Sequence, residues 1–121
     1  MIMENCPFCK IIAHELPAVI LYEDEQTIAI QDARPLTPVH ILIIPKTHIP
    51  SLNEITPTQS GLLGQLLLTA RKIAFDQGIG ASGYRLVINT GSGGGQTVPH
   101  LHVHLLGGAP VEPDLLTRGL R

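Results

Sequence analysis

The sequence predicts an α+β fold in which helices pack on an antiparallel sheet. The chain has 121 residues, a length that fits one domain with a single core. Short runs rich in Ile, Leu and Val have the length of strands, and one longer run repeats its apolar residues at helical spacing. The strands are separated by connections of hairpin length, so no parallel crossover is needed. We expect the order helix, three strands, long helix, two strands.

Two helices are predicted, one short and one long. The short helix spans residues 6–13. The long helix begins with Thr56 as N-cap, Pro57 at the first helical position and Gln59 as capping-box partner, and it ends near Gly78. Its apolar face is predicted to consist of Leu62, Leu63, Leu66, Leu67, Ala70, Ile73 and Ala74.

The predicted strands occupy residues 19–22, 27–31, 40–44, 84–89 and 98–106. A glycine-rich run, residues 91–95, connects the last two strands. The chain closes with a tail over residues 107–121, in which Pro110 and Pro113 argue against further sheet.

The composition indicates an oligomer that does not bind extended nucleic acid. Hydrophobic residues make up 44% of the chain and charged residues only 15%, so polar surface is scarce. We therefore expect a large apolar patch to be buried against a second copy in a homodimer. The formal net charge is −2 and no basic stripe is present, which disfavours nucleic acid as a partner.

Neither a membrane segment nor an export signal is visible, and we expect a cytoplasmic protein with no membrane partner. The longest apolar stretch near a strand is residues 41–45. Cys6 and Cys9 stand three positions apart, too close for the disulfide framework of a secreted protein. Reduced thiols or metal ligation suit the cytosol better.

Three histidines alternate with apolar residues in the last predicted strand. Because side chains of a strand alternate between faces, His100, His102 and His104 should project to one side of the sheet. A single histidine there would indicate only the polar face of a half-buried strand. Three in register indicate either a neutral imidazole nucleophile beside a hydrogen-bond donor, or a zinc site.

The glycine-rich run favours the first of these chemistries. Its glycines, followed by Gln96 and Thr97, allow backbone N–H groups to approach an anion closely. Most such runs are flexible hairpin tips, but this one ends five positions before the first histidine. We therefore expect a phosphate-binding nest beside the histidines.

The region from residue 94 to residue 108 resembles the signature of the histidine-triad (HIT) family, in which HxHxH is followed by two hydrophobic residues. It reads GGQTVPHLHVHLLGG. Similarity to the Hint branch, whose members are nucleoside phosphoramidases and purine nucleotide-binding proteins, extends over nearly the whole chain. It includes CKIIAHELPAVILYEDEQTIAIQD, TPVHILIIPKTHI, GYRLVINTG and LLGG. Dinucleoside polyphosphate hydrolases tend to have Pro-Arg where this chain has the final Gly-Gly pair.

This resemblance implies a fold and a reaction. The implied fold is HIT-like, with one HIT domain over residues 1–121 and a five-stranded sheet that extends across a homodimer. The implied reaction releases AMP or GMP from a nucleoside 5′-phosphoramidate or an acyl or lysyl adenylate. No cofactor is implied for catalysis.

The resemblance also implies catalytic roles. His102 would attack the α-phosphate and form a nucleotidyl-histidine, and His104 would donate to a non-bridging oxygen. Thr97, where the family usually has Ser, would donate to the departing atom or to the phosphate. His40 would help to hold the triad, although a histidine at a strand end is often purely structural.

Further residues are implied to bind the nucleotide. Asp32 offers two acceptor oxygens to the ribose hydroxyls, and without the resemblance it would be a solvated turn residue. Asn89 would reach the ribose or the phosphate, or else cap a turn. The base would lie between apolar side chains that are otherwise ordinary core, namely Phe8, Ile11, Ile30 and Leu42. The phosphate would contact Gly95, Gln96, Thr97 and Val98.

A structural zinc site is the remaining prediction. Cys6 and Cys9 lie one helical turn apart, so both thiolates can face one point. His48 and His100 would complete a Cys2His2 tetrahedron with no position open to water, and His100 would then be withdrawn from catalysis. The alternative is a pair of reduced thiols in a helix.

Two other functions fit the same residues. One is dinucleoside polyphosphate hydrolysis. The other is a non-catalytic, nucleotide-binding regulatory dimer, because a pocket that binds AMP need not turn over a substrate.

Overall fold

The structure is a computed structural model that describes residues 5–109 and residue 120. Most of the predicted tail lies outside the described residues. The helices and strands are α1 (Pro7–Ile12), β1 (Ile20–Glu23), β2 (Thr27–Gln31), β3 (Val39–Pro45), α2 (Ser60–Asp76), β4 (Tyr84–Val87) and β5 (Val103–Gly107). Gly107, which was predicted to begin the tail, therefore ends a strand.

The five strands form one antiparallel sheet in the order β1-β2-β3-β5-β4. The central strand β3 pairs with β2 on one side and with β5 on the other. This arrangement confirms the predicted α+β fold with one short and one long helix. Within the described residues, no helix combines the length and apolar character needed to cross a bilayer.

The start of α2 follows the predicted capping box. Gln59 accepts from the backbone N–H of Thr56 through its side-chain oxygen, at 2.9 Å. The residues Pro57–Gln59 form a 3₁₀ turn, so the α-helix itself begins at Ser60. Gly78 follows the helix with a φ of +78°, the left-handed conformation that glycine adopts without strain.

The last strand is shorter than predicted. β5 begins at Val103 instead of residue 98, because Pro99 has no N–H to donate and the chain bends around it. The N–H of His100 donates to the Val98 carbonyl at 2.8 Å, and the N–H of Leu101 donates to the Ile49 carbonyl at 2.7 Å. β4 consequently has no partner strand beyond its Val87–His104 pair, and it ends at Val87 instead of residue 89.

The two faces of the sheet carry separate hydrophobic clusters. The aliphatic cluster lies between the sheet and α2 and contains Ala29, Ile41, Ile43, Ile49, Leu66, Ala70, Ile73, Ala74, Ile79, Leu101, Val103 and Leu105. The α1 cluster lies on the other face and contains Cys6, Phe8, Cys9, Ile11, Ile28, Ile30, Leu42, Ile44 and Val98. The alternation of β3 divides its side chains between the two, and it turns His40 towards the α1 side.

Candidate active site

Four histidines lie buried on the α1 side of the sheet, His40, His100, His102 and His104, each no more than 2% exposed. Leu101 and Val103, which alternate with His100, His102 and His104, point into the aliphatic cluster on the other face. The predicted alternation is therefore correct. Only His104 lies within β5, however, and His100 and His102 belong to the bent segment that precedes it.

The protonation of His102 follows from one short hydrogen bond. Its Nδ1 lies 2.6 Å from the backbone carbonyl oxygen of His100. A carbonyl oxygen can only accept, so Nδ1 carries the proton and Nε2 carries the lone pair. The ring of Phe8 packs edge-on against the imidazole, with centroids 5.0 Å apart. In the neutral imidazole this hydrogen bond leaves the lone pair on Nε2, where it can act as a nucleophile.

The tautomer of His104 is set by a relay that starts in the backbone. The N–H of Leu36 donates to Nδ1 of His40 at 3.1 Å, so in the neutral imidazole the His40 proton resides on Nε2. That Nε2 lies 3.0 Å from Nδ1 of His104 and donates to it. His104 then carries its own proton on Nε2, where it can donate to an oxygen of a substrate.

Asp32 adjoins this relay. Its Oδ1 accepts from the N–H of Arg34 at 2.8 Å, and its Oδ2 lies 3.4 Å from Nε2 of His40. Asp32, His40 and His104 are close enough together to hold a metal ion. The proton that the Leu36 amide imposes on Nε2 of His40 argues against this use, because a ligating nitrogen must be unprotonated.

A cavity of about 510 Å³ opens beside Asp32, and its lining includes Ile11 and Ile30. Phe8 and Leu42, also predicted to enclose the base, are fully buried. Those two side chains do not line the cavity but pack with Ile11 and Ile30 in the α1 cluster, and the Phe8 ring contacts the His102 ring. The lining also includes Pro17, Ala18, Val19, Gln31, Ala33 and Pro35.

A larger cavity of about 660 Å³ lies beside the start of β4. Tyr84, Arg85 and Gly107 are part of its lining. None of the predicted site residues within the described ranges lines it, so it lies apart from the histidines.

The glycine-rich run does not form the predicted phosphate nest. The N–H groups of Gly94 and Gln96 donate to the Gly91 carbonyl, and that of Gly95 donates to Ser92. The Gln96 side chain accepts from the N–H of Gly91 and donates to the carbonyls of two residues, Pro50 and Val98. The loop closes on itself as a 3₁₀ turn, Ser92–Gly94, and the N–H groups of Gly91, Gly94 and Gly95 are used internally.

The predicted site residues on either side of that loop differ in exposure. Thr97 is exposed, whereas Val98 is buried in the α1 cluster. Before the loop, the side-chain nitrogen of Asn89 is buried and has no hydrogen-bond partner among the described residues. A buried amide nitrogen without an acceptor is costly, which is consistent with a ligand that supplies one.

A second cluster joins the N-terminal helix to the histidines. Nδ1 of His100 lies 3.2 Å from the Cys6 sulfur, 3.6 Å from the Cys9 sulfur and 3.2 Å from Nδ1 of His48. The Cys9 sulfur lies 3.3 Å from Nδ1 of His48. The structure thus brings together all of the predicted metal ligands, and we call this group the Cys2His2 cluster.

The protonation of the cluster suits metal binding. Nε2 of His100 lies 2.8 Å from the Pro45 carbonyl and donates to it, which leaves the lone pair of Nδ1 facing the cysteines. Burial lowers the pKa of His100 to about 4, and burial also lowers the pKa of His48. Burial raises the pKa of the Cys6 thiol, because the charged thiolate is disfavoured there without a metal.

Comparison with known proteins identifies the family. Residues 13–111 match the family model described as HIT domain. The chain belongs to the HIT domain family.

Relatives of known name and solved structure cover nearly all of this HIT protein. It is 45% identical over 117 residues to the purine nucleoside phosphoramidase of Escherichia coli, covering 97% of this chain and 98% of the relative. A HIT family hydrolase from Clostridium thermocellum superposes with a TM-score of 0.89 at 53% identity, covering 94% and 99% of the two chains. These relatives confirm the prediction of a HIT-type hydrolase.

A third relative bears a metal in its name. The structure of a zinc-bound histidine triad family protein from Mycobacterium smegmatis superposes with a TM-score of 0.75 at 34% identity. The match covers 94% of this chain and 81% of that one.

Three participants in the site of this HIT protein were missed from the sequence. They are the amide of Leu36, the carbonyl of Pro45 and the ring of Phe8 against His102. The first two are backbone groups, whose direction no residue type reveals. Phe8 was assigned to the base wall, and its position between two candidate metal ligands is the one feature that could have indicated its contact with the histidines.

Proposed function

We propose that this HIT hydrolase cleaves purine nucleoside 5′-phosphoramidates, and acyl or lysyl adenylates, to the nucleoside monophosphate through a nucleotidyl-His102 intermediate. The observation that carries the proposal is the 2.6 Å hydrogen bond from Nδ1 of His102 to the His100 carbonyl, which presents Nε2 as a nucleophile. The name of the Escherichia coli relative, purine nucleoside phosphoramidase, supports the substrate class.

In the first step, the lone pair of Nε2 attacks the α-phosphorus and the bond from phosphorus to the leaving group breaks; this group is an amine in a phosphoramidate and a carboxylate in an acyl adenylate. The positive charge that develops on the His102 ring is stabilised by the carbonyl that accepts from Nδ1. His104 donates from Nε2 to a non-bridging oxygen. The amine takes up a proton as it leaves, and we assign the exposed hydroxyl of Thr97 to relay it from water.

In the second step, water attacks the same phosphorus and the bond to Nε2 breaks. The proton of the water passes to solvent, and His102 returns to its neutral form with the proton still on Nδ1. The nucleoside monophosphate is released. Both displacements need only positioning and charge stabilisation, so the mechanism requires no metal at the phosphate.

The nucleotide is proposed to bind across the cavity beside Asp32. Its base would lie against Ile11 and Ile30, with Phe8 and Leu42 supporting that wall from behind. Asp32 would accept from the ribose hydroxyls. Other ligand contacts are assigned to Asn89, Thr97 and Val98, while Gly95 and Gln96, whose N–H groups donate within the loop, would hold that loop beside the phosphate.

A structural zinc is proposed for the Cys2His2 cluster. In a tetrahedron with Zn–S near 2.3 Å and Zn–N near 2.0 Å, the donor atoms lie about 3.3–3.8 Å apart. Four of the six donor separations run from 3.2 to 3.6 Å and all donor atoms lie within 4.8 Å of one another, so the residues fit the ion. The zinc would link α1 to the segment before β5, and it would supply no chemistry at the phosphate.

A cytoplasmic homodimer with one HIT domain over residues 1–121 is also proposed. Leu67, Leu68 and Phe75 are exposed apolar residues of α2, and β4 is the last strand of the sheet. A second copy that paired with β4 would cover such apolar surface and extend the sheet. Sedimentation of the protein over a range of concentrations would test this proposal.

The test of function is hydrolysis of adenosine 5′-phosphoramidate, with AMP and ammonia as readouts. We expect turnover by the wild type, and a loss in His102→Ala of about 10⁴-fold or more. His14→Ala is the matched control, because His14 lies on the surface and outside the site. AMP formation at equal rates by wild type and His102→Ala would refute the assignment.

A parallel assay separates the alternatives. Diadenosine tetraphosphate cleaved faster than the phosphoramidate would favour dinucleoside polyphosphate hydrolysis. AMP binding without turnover of either substrate would favour a regulatory nucleotide-binding protein.

A further inference from the structure

The Cys2His2 cluster and the nucleophile share one residue. His100 contributes Nδ1 to the cluster, and its backbone carbonyl accepts the 2.6 Å hydrogen bond that sets the tautomer of His102. The group that fixes the nucleophile is therefore part of a candidate metal ligand. Any change in how His100 is held must reach His102 through that carbonyl.

His100 is restrained at both ends of its ring. Nε2 donates to the Pro45 carbonyl at the end of β3, and Nδ1 faces the two cysteines of α1 and His48. Only the first restraint is a conventional hydrogen bond. Thiols are weak donors, so without an ion the contacts on the Nδ1 side hold the ring far less firmly than coordination bonds do.

A second path joins the cluster to the nucleophile through Phe8. This residue lies between Cys6 and Cys9 in the chain and is fully buried. Its ring packs edge-on against His102, with centroids 5.0 Å apart, and against His100, with centroids 6.0 Å apart. The two cysteines thus flank, in the chain, the side chain that packs against the ring of His102.

The short helix α1 cannot by itself hold Phe8 and the two cysteines in fixed positions. α1 has six residues, fewer than an isolated helix needs for stability in water. Its N-cap is Cys6, whose sulfur accepts from the N–H of Cys9 at 3.3 Å. A cap made by a thiol is weaker than one made by an oxygen, so the helix depends on what holds the cysteines.

We propose that metal bound at the Cys2His2 cluster positions His102, because it fixes the His100 carbonyl and the Phe8 ring that contact this imidazole. Cys6, Cys9, His48 and His100 are then positioning residues that act through His102. The kinetic part of this inference rests on the proposed function. Its structural part, the effect of the metal on the tautomer of His102, does not.

The test uses His48, a ligand that lies outside both α1 and the chain segment that carries His102. His48→Ala should bring zinc below one ion per chain and lower kcat on adenosine 5′-phosphoramidate on the order of 10-fold to 100-fold. KM should change by less than about twofold, since no group that binds the nucleotide is removed. His48→Cys replaces the imidazole with a thiolate and gives a Cys3His ligand set, which is common in structural zinc sites, so it should restore both zinc and kcat.

Ile12→Ala is the matched control for general loosening of the helix. Ile12 is half-buried against the α1 cluster and is not a ligand. It should retain zinc and keep kcat within about twofold of the wild type. An equal loss of kcat in Ile12→Ala and His48→Ala would overturn the proposal.

A second readout does not depend on activity. Long-range ¹⁵N–¹H NMR reports which nitrogen of His102 is protonated. We expect the Nδ1–H form in zinc-loaded wild type and a mixture of tautomers in His48→Ala. If no form of the protein hydrolyses the phosphoramidate, the proposed function fails while this spectrum still decides the inference.

Three results would overturn the inference. One is zinc-free His48→Ala with unchanged kcat and an unchanged His102 tautomer. Another is a His48→Ala protein that still binds one zinc per chain, because His48 would then not be a ligand of the metal. If His48→Ala does not fold, zinc is stripped from the wild type with a chelator, and unfolding of that protein would show that the metal serves folding instead of positioning.

Discussion

The two faces of the sheet are built from the same strands but hold different kinds of interaction. On the α2 side, the aliphatic cluster consists of apolar side chains, whose hydrophobic interactions are non-directional. On the α1 side, four buried histidines each have a nitrogen in a hydrogen bond or a ligand cluster. The α2 face stabilises the fold, whereas the α1 face uses that stability to hold polar groups in fixed orientations.

This contrast teaches how a small domain tolerates buried polar groups. Isolated buried imidazoles would be destabilising, but here each imidazole has at least one nitrogen hydrogen-bonded to a backbone group or to another histidine. β3 supplies both sides, since Ile41 and Ile43 face α2 while His40 faces the site. Substitutions on the two faces should therefore separate stability from activity.

The largest expected effect is on the stability side. Leu66→Ala removes a fully buried side chain from the aliphatic cluster and should lower the free energy of unfolding by about 2–5 kcal/mol. The kcat of the folded protein should stay close to the wild-type value. Urea denaturation measures the first quantity, and Arg71→Ala, an exposed residue of the same helix, should cost less than about 0.5 kcal/mol.

A pH effect of somewhat smaller size is expected on the α1 side of the metal-free protein. Burial lowers the pKa of His100 from 6.5 to about 4, so the unfolded chain binds a proton more readily than the folded one. The stability associated with neutral His100 is present above pH 6.5 and is lost as the pH falls towards 4, approaching about 3 kcal/mol.

Urea denaturation at pH 7 and at pH 4.5 checks this expectation. His100→Gln should show a smaller decrease between the two pH values than the wild type. His14→Ala should behave as the wild type does, since His14 is exposed. An identical decrease in wild type and His100→Gln would exclude His100 as the source.

The smallest of the three effects concerns the relay to His104. His40→Ala removes the donor to Nδ1 of His104, so the proton can shift to that nitrogen and leave Nε2 unable to donate. We expect kcat to fall about 10²-fold. Ile44→Val lies on the same strand and face and should cost about 1 kcal/mol of stability with kcat nearly unchanged.

Equal kcat values in His40→Ala and wild type would show that the relay does not control His104. A similar loss of kcat in Ile44→Val would instead point to general loosening of the α1 face.

The sequence predicted the elements better than the site. Period-two and helical patterns, with the capping box at Thr56, were enough for the sheet and for α2, because those patterns reflect burial on one face. The alternation of the histidines was also correct. The strand that carries it is shorter than predicted, because Pro99 has no N–H to donate to a neighbouring strand and β5 begins only at Val103.

The predicted phosphate nest failed for a related reason. Glycine allows many conformations, and the sequence does not say where the freed amides point. In the folded loop the N–H groups of Gly94 and Gly95 donate to the carbonyls of Gly91 and Ser92, and the Gln96 side chain accepts from the N–H of Gly91. The tautomer relay likewise depends on the amide of Leu36, whose direction is set by the connection before β3.

The candidate metal ligands could be predicted because their chemistry restricts the possibilities. Cys6 and Cys9 at helical spacing limit the geometry, and the structure brings His48 and His100 to the same point. What the sequence alone did not show is that His100 also contacts His102, the proposed nucleophile, through its carbonyl.

The central claim is that Nε2 of His102 forms a bond to phosphorus. The most direct measurement mixes the enzyme with excess adenosine 5′-phosphoramidate, quenches the reaction in alkali within milliseconds, and maps the modified peptide by mass spectrometry. The account predicts an adenylylated peptide in which His102 carries the nucleotide, and no such adduct in His102→Ala. An adduct on a different residue, or AMP release with no adduct at any time point, would contradict it.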